Sequence, residues 1–209
     1  MAHPLYHKFR IYMFMQLLMK AKKIPNACVV ECGVGEGVMM QMAHEFIENF
    51  TYPTYLLDTF EGPDISQLTS SEMRNMSPEA RSELFLRSYP RSTYDEIQNC
   101  FLKYQNVKLI KGSIPSLFKD NSVLFNDLHI SLLHMDMNNA FPEAEALKFL
   151  YDKVTVPGFI IFDDYCFKDL RIQKDAIDKV CQELGIDIPA SLPTGQGLII
   201  KTENRSSLT

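Results

Sequence analysis

The sequence lacks the excess of positive charge that marks a nucleic-acid-binding protein. Its 209 residues include 21 Lys and Arg against 26 Asp and Glu, which gives a formal net charge of −5. A protein that binds the phosphate backbone without sequence preference depends on clustered basic side chains. The charge balance therefore argues against a nucleic-acid partner.

The sequence also lacks a hydrophobic run long enough to cross a membrane. The most apolar stretch near the N-terminus, Ile11 to Met19, is far shorter than the roughly 20 residues that a transmembrane helix needs. Basic residues interrupt this segment, and no small-residue cleavage site follows it. We interpret residues 1–25 as an apolar-striped helix that packs on the domain or on a second subunit, and we expect no membrane contact.

Paired cysteines are missing as well. The five cysteines form no CxxC motif, and several lie in apolar runs, where a free thiol behaves as a small hydrophobic side chain. Apolar residues make up 46% and charged residues 22% of the chain, which is ordinary for a globular protein and excludes a disordered chain or a disulfide-stapled miniprotein. We expect a reduced, cytoplasmic protein.

Short apolar runs alternate with helical patterns along the chain, which predicts βαβ units and a mainly parallel sheet. Residues 1–209 are expected to form a single domain. Residues 61–105 contain no strand pattern and are expected to form an insertion that serves as a lid between the second and third strands. The predicted strands are 27–32, 54–58, 106–111, 128–135, 158–162 and 197–201, and the predicted helices after the first are 38–50, 142–153 and 170–184.

The first strand ends in a glycine-rich turn, Glu31-Cys32-Gly33-Val34-Gly35-Glu36-Gly37. Its GxGxG pattern departs from the GxGxxG dinucleotide fingerprint, and Glu36 would repel a pyrophosphate. Asp58, at the end of the second strand, is placed to accept hydrogen bonds from both hydroxyls of a ribose. The pair favours a nucleoside ligand with a cationic end and no phosphate, which describes S-adenosylmethionine; a merely tight turn and a capping Asp58 are the structural alternatives.

Three carboxylates follow the next two buried strands. Asp136 follows the fourth strand, and Asp163 and Asp164 follow the fifth. Like charges that converge at one sheet edge must take up protons or a cation, and oxygen ligands suit Mg²⁺. The alternative is that Asp163 or Asp164 only caps the following helix.

From Val29 to Lys201 the sequence resembles a class I S-adenosylmethionine-dependent methyltransferase, and more narrowly the macrocin O-methyltransferase family. The resemblance rests on the glycine turn at 31–37, on Leu57-Asp58-Thr59-Phe60-Glu61-Gly62-Pro63, on Gly112-Ser113, on Asp136 and on residues 157–165. Its specific parts are the Asp-x-Phe-Glu-Gly-Pro motif at 58–63 and Asp163-Asp164-Tyr165, whereas the glycine turn is shared by most methyltransferases. The resemblance implies a Rossmann-like α/β fold with a mainly parallel seven-stranded sheet and helices on both faces. It also implies O-methylation of a sugar or other small-molecule hydroxyl with Mg²⁺.

The resemblance implies roles for individual residues. Glu31, Gly33 and Gly35 would line the methionine end of the cofactor, Asp58 would hold the ribose, and Gly112 and Ser113 would lie near the adenine. Asp136, Asp163 and Asp164 would bind the metal. The sequence departs from the family at Asn138 and Ala140, where an Asp and a Tyr are usual, and this weakens the metal assignment more than the cofactor assignment.

Two residues are candidates for the catalytic base. Asp136 could take the proton of the acceptor hydroxyl. His134 lies on the same face of its strand, although a histidine inside an apolar strand is more often a hydrogen-bonded core residue. The acceptor is expected to be a small molecule, possibly a glycoside or nucleotide sugar, and the N-terminal helix could form a homodimer. A metal-independent N- or O-methyltransferase and a non-catalytic nucleoside-binding module remain alternatives.

Overall fold

The structure, a computed structural model, describes residues 5–68, residue 72 and residues 93–204. Strands alternate with helices along these residues, as the apolar runs predict. The strands are β1 (Cys28–Cys32), β2 (Thr54–Asp58), β3 (Val107–Lys111), β4 (Ile130–Met135), β5 (Val154–Phe162), β6 (Ala190–Ser191) and β7 (Gly197–Lys201). The helices are α1 (Leu5–Ala21), α2 (Val38–Phe46), α3 (Tyr94–Phe101), α4 (Ser116–Asp120), α5 (Ser122–Asn126), α6 (Ala140–Leu150) and α7 (Arg171–Leu184).

The seven strands form one sheet in the order β3-β2-β1-β4-β5-β7-β6. β1 to β5 run parallel, and β7 pairs antiparallel with both β5 and β6. The prediction of a mainly parallel, seven-stranded α/β sheet is therefore confirmed. The chain order reverses between β1 and β4, and in sheets of this type ligands bind beyond the strand ends at such a point.

Alternating side chains divide the core into two layers. On one face Val30, Leu133 and Ile160 pack against α4 to α7, and on the other Val29 and Leu132 pack against α1, α2 and α3. Because successive side chains of a strand point to opposite faces, Leu132 and His134 of β4 lie on the α1 side, and Leu133 and Met135 lie on the other. This parity decides which polar residues meet at the site.

The N-terminal helix α1 is part of the second layer. It packs against α2, β4 and β5 through Phe14, Leu17, Leu18 and Ala21, all of which are buried. Phe9 and Tyr12 on the same helix are more than half exposed. The helix thus lies inside the predicted range 1–25. The homodimer through the exposed side of this helix stays a prediction.

The predicted lid covers residues 61–105, of which 69–71 and 73–92 lie outside the described residues. The described C-terminal part contains α3, whose N-terminus has a reciprocal cap between Thr93 and Glu96, and whose Ile97 and Phe101 join the core. Among the described residues no helix is long and apolar enough to cross a membrane. All five cysteines are described, and each is a free thiol.

We expect Phe14→Ala to lower the free energy of unfolding by about 3–5 kcal/mol, because Phe14 is fully buried between α1 and the sheet. The matched variant Phe9→Ala, on the exposed side of the same helix, should change it by less than about 0.5 kcal/mol. Urea unfolding followed by circular dichroism measures both. Equal effects of the two substitutions would mean that α1 does not dock as described.

Candidate active site

A cleft opens at the carboxyl ends of β1 to β4, at the reversal point of the sheet. Its walls come from the turn after β1, the segment after β2, the start of the β3–α4 connection and the loop between β4 and α6. The lining residues include Gly33, Gly35, Asp58, Thr59, Phe60, Asp64, Gln67, Gly112, Ser113, Asp136, Asn138 and Asn139. Six of the sequence-predicted site residues therefore border one cleft, namely Gly33, Gly35, Asp58, Gly112, Ser113 and Asp136.

The turn after β1 comes unusually close to the loop after β4. A Cβ atom added to Gly33 would lie 2.1 Å from the carbonyl oxygen of Asp136, so no other residue fits there without a backbone shift. Gly35 also has a positive φ of 53°, yet a Cβ atom there would meet nothing within 4 Å. The first glycine is thus required by packing, and the second by its left-handed backbone conformation alone.

Asp58 ties the glycine turn to β2. Its Oδ2 accepts hydrogen bonds from the backbone N–H groups of Val34 at 2.6 Å and Gly35 at 3.1 Å. Its Oδ1 accepts from the N–H of Phe60 at 2.7 Å and from the hydroxyl of Thr59 at 3.3 Å. A carboxylate has about four acceptor positions, so the long bond from Thr59 is the one that a ligand hydroxyl could most readily replace.

The far end of the cleft is a small polar network around Ser113. The Ser113 hydroxyl donates to Asp64 Oδ2 at 2.8 Å and accepts from Gln67 Nε2 at 2.9 Å. Hydrogen bonds from Ser66 and Ser113 hold the pKa of Asp64 below its usual value. Asp64 and Gln67 belong to the segment assigned from sequence to a lid, and no motif singled them out.

A buried acid–histidine–acid chain lies behind the cleft, on the α1 side of the sheet. His134 Nδ1 is 3.1 Å from Glu31 Oε1, and His134 Nε2 is 3.7 Å from Asp163 Oδ1. Both Glu31 and His134 are almost completely buried. Burial alone would lower the pKa of His134, but the contacts with Asp163 and Glu31 outweigh it and raise the pKa to about 10.

This environment keeps His134 protonated at neutral pH, so it has no free nitrogen with which to accept a proton. His134 also does not border the cleft. The placement favours the interpretation of His134 as a hydrogen-bonded core residue over that of a base. Phe14 of α1 covers the imidazole edge-on, with the ring centres 5.1 Å apart.

Arg10 of α1 reaches the two adjacent acids after β5. Its guanidinium forms a short ion pair with Asp163 Oδ2 and a second one with Asp164 Oδ1 at 2.6 Å, and the arginine is only 7% exposed. The Gln196 side chain donates to Asp163 Oδ1 at 2.7 Å. Burial raises the pKa of Asp163, but His134 and Arg10 more than offset it, so that the net shift is downward.

Asp136 is the acid of this group that faces the cleft. Burial, together with repulsion from Asp163 and Asp164, raises its pKa well above the usual value. The Asn138 amide Nδ2 lies 3.3 Å from Asp136 Oδ1. The structure thus gathers His134, Asp136 and Asp163, each of which has a potential ligand atom within 4.8 Å of the others, whereas Asp164 turns to Arg10.

A buried glutamate that the sequence did not reveal supports the loop that carries Asp136. Glu143 on α6 accepts a hydrogen bond from the backbone N–H of Met137 at 3.0 Å, and burial raises its pKa to about 7. Asn139 caps the same helix by accepting from the N–H of Phe141 at 3.3 Å. The position of Asp136 is therefore fixed by α6 as well as by β4.

The sequence model of the macrocin O-methyltransferase family, TylF, matches residues 7–191. The chain belongs to this family. It is therefore an S-adenosylmethionine-dependent methyltransferase, as the resemblance implies. No curated protein sequence matches it significantly.

Solved structures of methyltransferases share this fold. The O-methyltransferase NovP is 21% identical, with a TM-score of 0.66 over 93% of this chain and 80% of its own. The calicheamicin methyltransferase CalS11 is 14% identical, with a TM-score of 0.68 over 94% and 80% of the two chains. PaMTH1 from Podospora anserina, solved with S-adenosylhomocysteine bound, is 17% identical, with a TM-score of 0.53 over 95% and 78%. At these identities the likeness establishes the fold.

We expect Gly33→Ala to lower the free energy of unfolding by about 3 kcal/mol or more, because the new methyl group would push the turn away from the Asp136 carbonyl. Gly35→Ala adds the same methyl group where no protein atom lies within 4 Å, so it should lower the free energy of unfolding only by the roughly 1 kcal/mol of a left-handed residue. Urea unfolding compares the two variants with the unmodified protein. A larger loss of stability for Gly35→Ala would contradict the close approach at Gly33.

The stability of the fold should fall as the pH rises from about 7 to about 10. The pKa of His134 is about 10 in the folded chain and near the ordinary histidine value of 6.5 in the unfolded chain, so only the folded chain holds this proton between those pH values. Its contribution is complete below pH 6.5 and is lost as the pH approaches 10. The unfolding temperature of His134→Gln should depend less steeply on pH than that of the unmodified protein. The unfolding temperature of His129→Gln, a change at an exposed position, should depend on pH as the unmodified protein does. An unchanged slope for His134→Gln would refute this assignment.

Proposed function

We propose that this methyltransferase transfers a methyl group from S-adenosylmethionine to a hydroxyl of a sugar or another small natural-product acceptor. The observation that carries the proposal is that the glycine turn, Asp58 and Asp136 all line one cleft. CalS11, which shares the fold, is also described as a TDP-rhamnose 3′-O-methyltransferase, and NovP as an O-methyltransferase. These descriptions support a glycoside or nucleotide sugar as the acceptor.

In the proposal the cofactor lies along the turn after β1. Asp58 accepts the ribose hydroxyls, and Gly112 and Ser113 flank the adenine. Gly33 and Gly35 let the backbone approach the methionine end. The predicted contact of Glu31 with the methionine end is not part of the proposal, because Glu31 is 1% exposed, does not border the cleft and has its Oε1 against His134 Nδ1.

Asp136 is the proposed base. It borders the cleft, and its raised pKa makes it a stronger proton acceptor than an ordinary carboxylate, once it is ionised. The acceptor hydroxyl gives its proton to Asp136, and its oxygen lone pair forms the new bond to the methyl carbon. The bond from sulfur to that carbon breaks, its electron pair stays on sulfur, and S-adenosylhomocysteine is the product. In-line positioning of the oxygen supplies much of the rate.

The residues present do not fit the predicted magnesium site. Mg²⁺ prefers six oxygen ligands at about 2.0–2.1 Å. Arg10 already lies between Asp163 and Asp164, Gln196 takes the other oxygen of Asp163, and Asn138 turns its amide nitrogen towards Asp136. The remaining candidate ligand, His134, supplies nitrogen, which suits this hard cation poorly. We therefore assign no step of the reaction to a metal.

Two isosteric variants separate cofactor binding from chemistry. Asp136→Asn should leave S-adenosylhomocysteine affinity within about threefold, because the residue contacts the acceptor side, and should lower kcat by about 100-fold or more through loss of the base. Asp58→Asn should weaken that affinity at least about tenfold, because an amide has a single acceptor oxygen and cannot accept from the ribose hydroxyls as well as from the backbone N–H groups of Val34, Gly35 and Phe60. Calorimetry and methyl transfer to a panel of sugar nucleotides measure these effects.

Exposed Asp127→Asn is the matched control and should change neither quantity. Failure of the unmodified protein to bind S-adenosylhomocysteine would refute the proposed cofactor site. Binding without methyl transfer to any hydroxyl acceptor would favour a non-catalytic nucleoside-binding module.

A further inference from the structure

Arg10 is the unexpected member of the acidic cluster. It lies on α1, a helix that the sequence motifs of the site do not include, and its hydrogen bond to Asp164 spans 154 positions of the chain. Its guanidinium contacts one oxygen of Asp163 and one of Asp164, so it occupies the space between the two carboxylates. This is the position from which a single cation would neutralise both.

The surroundings hold the guanidinium there. Phe167 lies beside it, with the guanidinium carbon 5.4 Å from the ring centre. Buried Phe14, Leu17 and Leu18 dock the same helix on the sheet. The arginine therefore reaches the carboxylates as a consequence of folding, and a guanidinium remains charged throughout the pH range in which proteins are stable.

The carboxylates themselves are arranged for a guanidinium. Asp163 uses both oxygens on nitrogen donors, one from Arg10 and one from Gln196. Asp164 Oδ1 is bonded to Arg10, and Asp164 is not among His134, Asp136 and Asp163, whose potential ligand atoms all lie within 4.8 Å of one another. A divalent ion could bridge Asp163 and Asp164 only by displacing an arginine that is almost fully buried, and breaking such a pair is strongly unfavourable.

We infer that Arg10 is the resident cation of this site and that it takes the place of a divalent metal between Asp163 and Asp164. Arg10 is a positioning residue: it holds both carboxylates in place, and its contact with Asp163 orders that carboxylate beside His134. The inference that catalysis proceeds without a metal rests on the proposed function. The inference about cation binding does not, because it concerns the carboxylates alone.

The direct test measures Mn²⁺ binding by electron paramagnetic resonance, which needs neither cofactor nor acceptor. The unmodified protein should bind no Mn²⁺ at the cluster. Arg10→Met, which keeps the length of the side chain and removes the charge, should gain a Mn²⁺ site at least about tenfold tighter than any in the unmodified protein. The double variant Arg10→Met/Asp163→Asn should lose that site again.

Two further variants serve as controls. Arg10→Lys retains a cation and should exclude Mn²⁺ as the unmodified protein does. Arg171→Met removes an exposed arginine from α7, with the same change in net charge, and should gain no site. Methyl transfer by the unmodified protein, where an acceptor is known, should be unaffected by excess chelator.

Three results would overturn the inference. The first is Mn²⁺ binding by the unmodified protein that Asp163→Asn abolishes. The second is a folded Arg10→Met protein that gains no Mn²⁺ site. The third is loss of methyl transfer in chelator that Mg²⁺ restores. If Arg10→Met does not fold, as judged by the absence of cooperative unfolding, the Mn²⁺ titrations of the unmodified protein and of Arg10→Lys still test the inference. Absence of S-adenosylhomocysteine binding would refute the proposed function while leaving these titrations intact.

Discussion

Negative charge collects at the carboxyl ends of β1, β4 and β5, and the rest of the site is arranged around its neutralisation. Glu31 and His134 face each other across the β1–β4 ladder, because they are register partners. Asp136 follows two positions after His134 on the same side, and Asp163 extends β5 by one residue with its N–H bonded to the Met135 carbonyl. Strand parity and register alone place these side chains within reach of one another.

Two buried cations neutralise this charge. His134, held protonated by Glu31 and Asp163, lies on β4, and Arg10 lies on α1. Moving ions out of water is unfavourable unless each ion is paired and hydrogen-bonded. Removing either cation would therefore leave a buried carboxylate without its partner. The N-terminal helix is consequently coupled to the site through charge as well as through the packing of Phe14 and Leu18.

The strands that show a regular apolar pattern and the site residues that belong to a motif could be predicted from the sequence. Alternating apolar runs located β1, β2, β3 and β4 to within two residues, and the strand-end rule placed Gly33, Asp58 and Asp136 at one cleft. The two-residue strand β6 and the short helices α4 and α5 were missed, because segments of that length carry no measurable periodicity.

The contacts of Arg10 could not be predicted for a different reason. An ion pair between residues more than 150 positions apart leaves no local pattern in the sequence. Within the sequence of α1, Arg10 resembles an ordinary exposed polar residue such as Lys8. Once α1 is known to lie on the sheet, its face becomes informative: Arg10, Phe14, Leu17, Leu18 and Ala21 recur at helical spacing and are all buried. An arginine at the start of an otherwise apolar buried face requires an acidic partner, and the cluster after β5 provides two.

The two walls of the cleft are built by different means, and this bears on how the protein would select its ligands. The wall proposed for the cofactor is formed largely by backbone groups, fixed by Asp58 and by the close contact of Gly33 with the loop after β4. Side-chain substitutions alter such a surface little, so it suits a cofactor common to many enzymes. The wall proposed for the acceptor is formed by the side chains of Asp136, Asn138 and Asn139, on a loop that Glu143 supports. Single substitutions there change charge and hydrogen bonding directly, so under the proposed function this loop is where acceptor choice can change while the cofactor wall stays intact.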